Sequence, residues 1–368
     1  MSAATLEEIA LSMVQGLGPT STRRLIDIVG SASALFQMPH NELNEMFGQH
    51  REIASQIKNK TTFSRAEEEI KFNEKHGIKA VFFTDDEYPQ RMNRSECDDC
   101  PILIYVLGTC NLNNDKMISI VGTRRATYYG KEQAERLVDG FVGENTTVVS
   151  GLAYGIDTTA HRASVDRNIP TIAVLGHGLD RIYPVENTKL AREIIEKGGA
   201  LVTEYVSGTA INPHYFPARN RIIAGMSDAV VVVEASEKGG ALITANIANS
   251  YHREVFAVPG RNTDPMSKGC NRLIATNKAY IACDTDEICY ILNWQKSNKR
   301  IGEQTRLFDD LTPDEETIVN LLKTHGDLSL DELTVQSALS LTQLSAVLFD
   351  MELKNMIKCL PGKFYKLV

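Results

Sequence analysis

The spacing of hydrophobic residues divides the chain into regions with different secondary structure. From Leu6 to about His76, apolar residues recur every three or four positions and glycines separate the runs, which predicts an all-α N-terminal domain over residues 1–76. Within it, Gly16-Leu17-Gly18-Pro19 followed by a helix is typical of a helix-hairpin-helix, whose backbone N–H groups can meet a phosphate. A glycine turn that only packs two helices fits the same residues equally well.

A different pattern, in which short apolar runs alternate with helical stretches, extends over residues 77–292. The predicted strands are Ile118–Val121, Thr147–Val149, Thr171–Leu175, Ala200–Thr203, Ala229–Val233 and Glu254–Val258. Continuous apolar strands separated by helices indicate a parallel sheet that is covered on both faces. We therefore expect the α/β class, with an extended Rossmann-like, doubly wound parallel sheet.

The C-terminal part combines a linker and a small domain. Residues 293–310 are polar and lack periodicity, which predicts a linker. Residues 311–368 contain three helical segments, Asp314–Lys323, Ser329–Gln336 and Leu341–Lys354, and then two strands around a Pro-Gly turn, Met356–Leu360 and Phe364–Leu367. This order predicts a winged-helix domain.

Charge restricts where nucleic acid can bind. The formal net charge of -8 argues against a protein that coats nucleic acid through its overall charge. Residues 116–289 hold 19 basic and 19 acidic residues, whereas residues 301–368 hold six basic and eleven acidic ones, so any DNA site must be local. The predicted recognition helix, Leu341–Lys354, carries one basic residue and two acidic ones. We therefore expect the winged helix to contact a protein rather than to act as a transcription factor that reads a DNA groove.

The N-terminus lacks the basic and apolar segments of a secretory signal, and no apolar run approaches the ~20 residues that a membrane helix needs. These features predict a cytoplasmic protein that makes no membrane contact. The seven scattered cysteines are expected to be reduced. Cys97 and Cys100 form a single C-x-x-C pair, and no second pair at a suitable spacing completes a zinc site, so no metal is expected.

The loops after the predicted strands are rich in glycine, cations and aromatic rings. In an open parallel sheet these loops meet at one edge, where ligands bind close to helix N-termini. The cations are Arg124, Arg219, Arg221, Arg261 and Lys268, and the rings are those of Tyr128, Tyr129, Tyr154, Tyr183, Tyr215 and Phe216. Fixed cations can follow a phosphate backbone while rings stack on unpaired bases, which is typical of single-strand binding. Packing explains most of these rings equally well, and we expect only one or two to touch a base.

Two pairs of polar residues have a structural interpretation beside the functional one. Arg219 and Arg221 lie two positions apart on a predicted helix and point in different directions, so one of them is expected to hold the fold, for example by pairing with Glu234. Asp157 and His161 share a helical face, which would suit acid–base or metal chemistry. Because no third ligand lies at helical spacing, we interpret them as a structural polar pair.

Several motifs in the middle of the chain resemble the DprA (Smf) family. They are Val121–Arg124, Ser150–Asp157 with Ala160-His161, Gly178–Asp180 with Tyr183-Pro184, Phe216–Gly225, Val233–Ala235 and Pro259-Gly260. These motifs occur in the same order as in the family and cover about residues 88–282. Tyr88-Pro89 and Asp99–Leu103 look like the lead-in of the family, which makes Cys100 a substituted position rather than a zinc ligand.

The resemblance implies a protein without catalytic chemistry or cofactor that binds single-stranded DNA, protects it, and helps to load the RecA recombinase during natural transformation. It also implies a homodimer formed through the Rossmann-like domain. By motif, Arg124, Arg219, Asn220 and Arg221 are carried over as DNA-facing residues. The complete predicted nucleic-acid site is Gly122, Thr123, Arg124, Gly151, Gly155, Arg219, Asn220, Arg221, Gly239, Gly240 and Lys268. The family commonly has Ser-Gly where this chain has Gly239-Gly240, a difference that keeps the backbone amides and removes a hydroxyl.

An enzymatic alternative is a nucleotide-binding phosphoribohydrolase, which has a similar core and a glycine-rich loop like Gly239-Gly240. Those enzymes need an arginine and a glutamate on that loop and the following helix, and residues 241–249 contain no acid. Release of free base from AMP distinguishes the two functions. A dehydrogenase is disfavoured, because no G-x-G-x-x-G turn follows the first predicted strand.

Overall fold

The computed structural model describes residues 4–294, 311–337, 339–354, 356–360 and 362–367. The chain divides into two compact units, Met1–Ser297 and Asn298–Val368. All of the predicted linker except Asn293 and Trp294 lies outside the described residues. No helix in the described ranges is long and apolar enough to span a lipid bilayer.

Helices open the first unit, as the hydrophobic spacing predicts. They are α1 (Leu6–Ser12), α2 (Pro19–Val29), α3 (Ala32–Gln37), α4 (His40–Phe47), α5 (Arg51–Lys58) and α6 (Phe63–His76). The side chain of Thr5 caps α1, and Pro19 occupies the first turn of α2. At the start of α2 the Thr20 hydroxyl donates to the Asp98 carbonyl oxygen, so this helix end contacts the rest of the unit. The helix-hairpin-helix interpretation stays a prediction, as does a domain boundary at residue 76.

A nine-stranded sheet follows these helices. Its strands are β1 (Lys79–Phe82), β2 (Leu103–Gly108), β3 (Lys116–Val121), β4 (Thr146–Ser150), β5 (Thr171–Val174), β6 (Ala200–Thr203), β7 (Ala229–Val232), β8 (Glu254–Ala257) and β9 (Tyr280–Ile281). The strands predicted from the sequence are β3 to β8. Strands β3 to β9 are parallel, which confirms the doubly wound arrangement. β2 pairs antiparallel with both β1 and β6, so the sheet is mixed rather than wholly parallel.

The hydrophobic pattern of the chain does not predict β1, β2 and β9. β9 contains two residues, which are too few for a periodic pattern to show. β1 and β2 are separated by two short 3₁₀ helices, Gln90–Asn93 and Ser95–Cys97, instead of by an α-helix. The alternation of strands and helices that marks the parallel strands is therefore missing there.

Helices cover both faces of the sheet. They are α7 (Tyr128–Asp139), α8 (Ile156–Asp166), α9 (Thr188–Glu196), α10 (Tyr215–Met226), α11 (Ala241–Ser250), α12 (Lys268–Ala275) and α13 (Thr285–Ile291). Ile118 and Ile120 of β3 share a hydrophobic cluster with α7, α8 and α13. Met117 and Val121 belong to a second cluster with α10, α11 and α12, which also includes the N-terminal helices. Alternate residues of β3 thus enter two different cores, as expected for a central strand buried on both faces.

The strand order β1-β2-β6-β5-β4-β3-β7-β8-β9 determines where a ligand can bind. From β3 the chain runs outward through β4, β5 and β6, and it then returns to β7 on the other side of β3. The helices that follow β3 and β7 lie on opposite faces of the sheet. Their loops diverge and leave a crevice at the carboxyl ends of these two strands.

The second unit has the predicted winged-helix order. In chain order it contains α14 (Pro313–His325), β10 (Leu328–Ser329), α15 (Leu330–Ser337), α16 (Leu341–Leu353), β11 (Ile357–Leu360) and β12 (Phe364–Leu367). Capping boxes at Thr312 and Ser340 begin α14 and α16. β11 and β12 form the predicted hairpin, and β10, which was not predicted, pairs with β12. Ile318, Leu333 and Leu348 are buried in the core between the three helices.

Candidate nucleic-acid interface

A cavity of about 400 Å³ opens at the carboxyl ends of β3 and β7. The loops after these strands line it together with α10 and the start of α8. The predicted site residues in its lining are Gly122, Thr123, Arg124, Arg219, Asn220, Gly239 and Gly240. The remaining predicted residues, Gly151, Gly155, Arg221 and Lys268, do not line it. The topology therefore brings most of the predicted site to one place, although its residues are far apart in sequence.

Backbone hydrogen bonds fix the loop that carries Arg124. The N–H of Thr123 donates to the Glu234 carbonyl oxygen at 2.8 Å, and its own carbonyl oxygen accepts from the N–H of Ile156 at 3.2 Å. The loop is thus tied both to the end of β7 and to the start of α8. Arg124 is exposed, and its guanidinium lies 5.5 Å from the centre of the Phe216 ring. This distance permits a cation–π interaction, which orients the guanidinium over the ring at the cavity.

Arg219 forms part of the cavity wall although its side chain is buried. Its Nη1 donates to the carbonyl oxygen of Val174, and within the described part of the chain its Nε has no hydrogen-bond partner. The pKa of Arg219 is lowered to about 10, mainly by burial and also by the charge of Arg124, whereas the carboxylate of Asp157 opposes this shift. A pKa near 10 leaves the guanidinium charged at neutral pH, so a fixed cation stands in the wall of the cavity.

Asp157 and His161 occupy buried positions on α8. Burial raises the pKa of Asp157, although the charge of Arg219 and hydrogen bonds from the backbone of Ala153 and Gly151 favour its ionised form. Burial lowers the pKa of His161 to about 3, so its ring is neutral at physiological pH. Nδ1 of His161 lies 2.8 Å from Oγ1 of Thr171. These contacts favour the structural interpretation of both residues.

Arg221 pairs with Glu204 instead of facing the cavity. Its Nη1 and Nη2 donate to the two carboxylate oxygens of Glu204 at 2.9 and 2.6 Å, and both side chains are mostly buried. The suggested pairing with Glu234 is wrong. The Glu234 carboxylate instead accepts from the N–H and the hydroxyl of Thr127, at 2.9 and 2.5 Å, at the start of α7. A bidentate pair of this kind has a structural role, and the assignment of Arg221 to the DNA site stays a prediction.

Two of the predicted glycines do not line the cavity but pack against residues that do. A Cβ atom on Gly151 would lie 1.9 Å from Nη1 of Arg219, so only glycine leaves room for that guanidinium. Gly155 has φ +79° and packs against the carbonyl oxygen of Thr123, which a Cβ would approach to 2.2 Å. Both glycines are explained by packing.

Phe216 is the one ring of the six predicted that lines the cavity. The Phe216 ring packs 5.6 Å from Tyr183, centre to centre, whereas Tyr215 stacks on Tyr205 at 4.4 Å.

Lys268 is exposed at the first position of α12 and stays a predicted contact. The cavity lining also includes Arg125, which the site prediction omitted although it directly follows Arg124.

Cys97 and Cys100 are buried free thiols. Within the described ranges, no group of three or more histidine, cysteine, aspartate or glutamate side chains is arranged to hold a metal ion.

Comparison with known proteins gives matches along most of the chain. The family model described as DNA recombination-mediator protein A matches residues 79–293, and the model described as DprA winged helix domain matches residues 303–363. Protein Smf of Synechocystis is 31% identical and aligns over 97% of this chain and 97% of its own length. A DNA processing protein DprA of Mycobacterium tuberculosis is 30% identical over 92% of this chain and 88% of its own length.

Two solved structures share the fold. DNA processing protein A from Streptococcus pneumoniae superposes with a TM-score of 0.68 at 28% identity, covering 80% of this chain and 100% of that one. The second structure, which describes the single-stranded DNA binding mode of DNA processing protein A from Helicobacter pylori, has a TM-score of 0.53 at 27% identity and covers 60% of this chain and 97% of that one. Together with the doubly wound sheet and the winged helix, these matches show that the chain belongs to the DprA (Smf) family, whose members are DNA-binding recombination mediators and not enzymes.

Proposed function

We propose that this recombination mediator binds single-stranded DNA in the cavity at the carboxyl ends of β3 and β7. The observation that carries the proposal is the meeting of two guanidinium groups, Arg124 and Arg219, with the ring of Phe216 at the switch point of the sheet. A phosphate and an unpaired base are the two chemical groups that such a cavity can hold side by side.

Arg124 is the best candidate for a direct phosphate contact. Its side chain is exposed, and among the described residues no carboxylate pairs with it, so its donors are available to a ligand. A guanidinium can donate two parallel hydrogen bonds to one phosphate. The Phe216 ring beside it offers a stacking surface for the base of the same nucleotide.

Arg219 and the loop before α11 support the binding of an anion in a different way. A buried cation acts through a lower effective dielectric than an exposed one, so Arg219 attracts a phosphate in the cavity more strongly than a surface arginine would. Gly239 and Gly240 line the cavity directly before α11, so the positive end of this helix dipole lies at the cavity. Asn220 adds a side-chain amide to the same lining.

The biological role extends this binding activity. We propose that the protein acts as a homodimer in the cytoplasm, where it protects incoming single strands and helps to load RecA onto them during natural transformation. The family description as a recombination mediator and the single-stranded DNA binding of the Helicobacter pylori relative support this role.

Fluorescence anisotropy with labelled oligothymidylate and with a blunt duplex of equal length tests the binding activity. We expect a clear preference for the single strand, with a log–log salt slope of about -0.7 per neutralised phosphate. Equal affinity for the duplex would contradict the proposal.

RecA loading is tested separately, by the rate of RecA ATP hydrolysis on single strands coated with single-strand-binding protein. Release of free base from AMP would instead support a phosphoribohydrolase.

A further inference from the structure

A second depression of about 600 Å³ lies between α7 and α8, and we call it the α7–α8 groove. Its lining includes Arg124, Arg125, Lys131, Tyr154 and Glu186. Arg124 and Arg125 also line the cavity at β3 and β7, so the groove and the cavity meet at the loop after β3. A chain that leaves the cavity past Arg124 can therefore enter the groove without crossing an intervening surface.

Two cations of the groove are available to a ligand. Arg125 and Lys131 are exposed, and no carboxylate of the described residues forms an ion pair with either of them. Arg162, which also lines the groove, differs from them because it pairs with Glu193. In a protein with a net charge of -8, such uncompensated cations mark a place where a polyanion is favoured.

The groove also contains an exposed ring in a fixed orientation. The side chain of Tyr154 is 42% exposed, and its hydroxyl donates to Oε2 of Glu186 at 2.6 Å. This hydrogen bond holds the ring and engages one of the two glutamates of the groove, the other being Glu135. A ring held in this way can stack on a base without first losing conformational freedom.

We propose that the α7–α8 groove holds the continuation of the single strand that occupies the cavity, with phosphates on Arg125 and Lys131 and a base stacked on Tyr154. This inference rests on the proposed function of the cavity. A paired base cannot stack on Tyr154, so the groove selects single strands. An acidic protein segment could use the cations but would leave the ring without a planar partner.

Binding to oligothymidylates of about 4 and about 12 nucleotides tests the groove, because a short strand fills the cavity alone. The full chain is compared with Lys131→Ala, because Lys131 lines the groove and not the cavity. We expect near-normal affinity for the short strand, about fivefold weaker binding of the long strand, and a salt slope for the long strand reduced by about 0.7, which corresponds to one phosphate. Lys71→Ala, which removes an exposed lysine that lines neither the cavity nor the groove, is the charge-matched control.

Two substitutions of Tyr154 separate stacking from the hydrogen bond to Glu186. Tyr154→Phe keeps the ring, so its affinity for the long strand should stay within about twofold of the wild type. Tyr154→Ala should weaken long-strand binding by about tenfold and leave short-strand binding unchanged. Thermal unfolding of both variants verifies that they are folded.

The outcomes distinguish this inference from the proposed function. If the wild type binds neither oligonucleotide, the function proposed for the cavity fails. If the wild type binds both and the groove variants behave like the lysine control at both lengths, the groove assignment alone is overturned. It is also overturned if the groove variants lose affinity equally for short and long strands, or if Tyr154→Phe is as weak as Tyr154→Ala.

Discussion

The carboxyl edge of the sheet and helix α16 are two places where a DNA-binding protein of this architecture could meet its ligand, and their side chains differ sharply. At the sheet edge, Arg124 is exposed without a carboxylate partner among the described residues, and Arg219 stands charged in the cavity wall. On α16, Phe349 and Leu353 are 61% and 68% exposed, and Lys354, at the end of the helix, donates to Oε1 of Glu315 at 2.7 Å.

The comparison shows that fold alone does not identify the DNA-binding surface of this protein. A helix that reads a DNA groove needs free basic side chains near phosphates and base edges. The cation of α16 is already paired, and the exposed residues of this helix include the two acids Asp350 and Glu352. The cavity at the sheet edge, in contrast, combines the exposed cations Arg124 and Arg125 with the ring of Phe216. This difference supports the proposed DNA site at the sheet edge, and a protein contact at the winged helix stays a prediction.

The largest expected effect is that of Arg219→Met. Removing a buried cation leaves Asp157 buried without its nearest positive charge, which should lower the free energy of unfolding by about 3–5 kcal/mol. Chemical denaturation measures this loss. Burial already raises the pKa of Asp157, and the loss of Arg219 raises it further. The folded variant therefore holds a proton that the unfolded chain releases, so its stability should decrease as pH rises from the unfolded pKa of Asp157 to the folded one.

The double variant Arg219→Met/Asp157→Asn is the control for this effect. It removes the unpaired charge and should recover part of the stability, with a flatter pH dependence. Equal stability of Arg219→Met and the wild type would show that Arg219 contributes nothing to the stability of the fold.

A histidine-driven loss of stability between pH 7 and pH 5 should appear in the first unit. The pKa of His161 is lowered to about 3 by burial, and burial also lowers the pKa of His177. Below pH 6.5 an unfolded histidine binds a proton that the folded His161 does not, so unfolding is favoured by about 1.4 kcal/mol per pH unit.

Denaturation between pH 7 and pH 5 measures this slope. His161→Gln should make this slope shallower, because the substitution removes the buried neutral imidazole. An identical slope in His161→Gln would mean that this histidine becomes protonated in the folded protein.

Arg124→Ala should separate binding from stability. If Arg124 donates hydrogen bonds to a phosphate, its loss should weaken single-strand binding by about 1–3 kcal/mol. Arg124→Lys should recover only part of this affinity, because a lysine lacks the planar guanidinium that donates two parallel hydrogen bonds. The melting temperature should change by a few degrees at most, since the side chain is exposed. Parallel melting and anisotropy curves test both statements. Unchanged affinity in a folded Arg124→Ala would remove this residue from the site.

The smallest expected effect is that of deleting the winged helix. A chain that ends at residue 310 keeps the whole cavity, so its affinity for oligothymidylate should stay within about twofold of the full chain. Circular dichroism verifies that the shortened chain folds. Loss of most of the affinity would mean that the second unit, rather than the sheet edge, supplies most of the DNA binding.

The sequence alone determined the secondary structure of most of the chain, the doubly wound order and the winged helix. Each of these depends on periodicity and on turn residues that are neighbours along the chain. The same local signals predicted Arg124 and Arg219 as parts of one edge, because loops after parallel strands must meet there. Asn220 was predicted only by the resemblance to the family. The local signals did not reveal β1 and β2, which lack the intervening α-helix.

Only the tertiary structure decided how Arg219 and Arg221 differ. Helical geometry predicts that the two side chains diverge, but it does not say that Arg221 meets Glu204 or that Arg219 reaches the carbonyl oxygen of Val174. These partners are distant in sequence and are brought close only when α10 packs on the sheet. The need for glycine at position 151 has the same origin, since the space it leaves is filled by the guanidinium of Arg219.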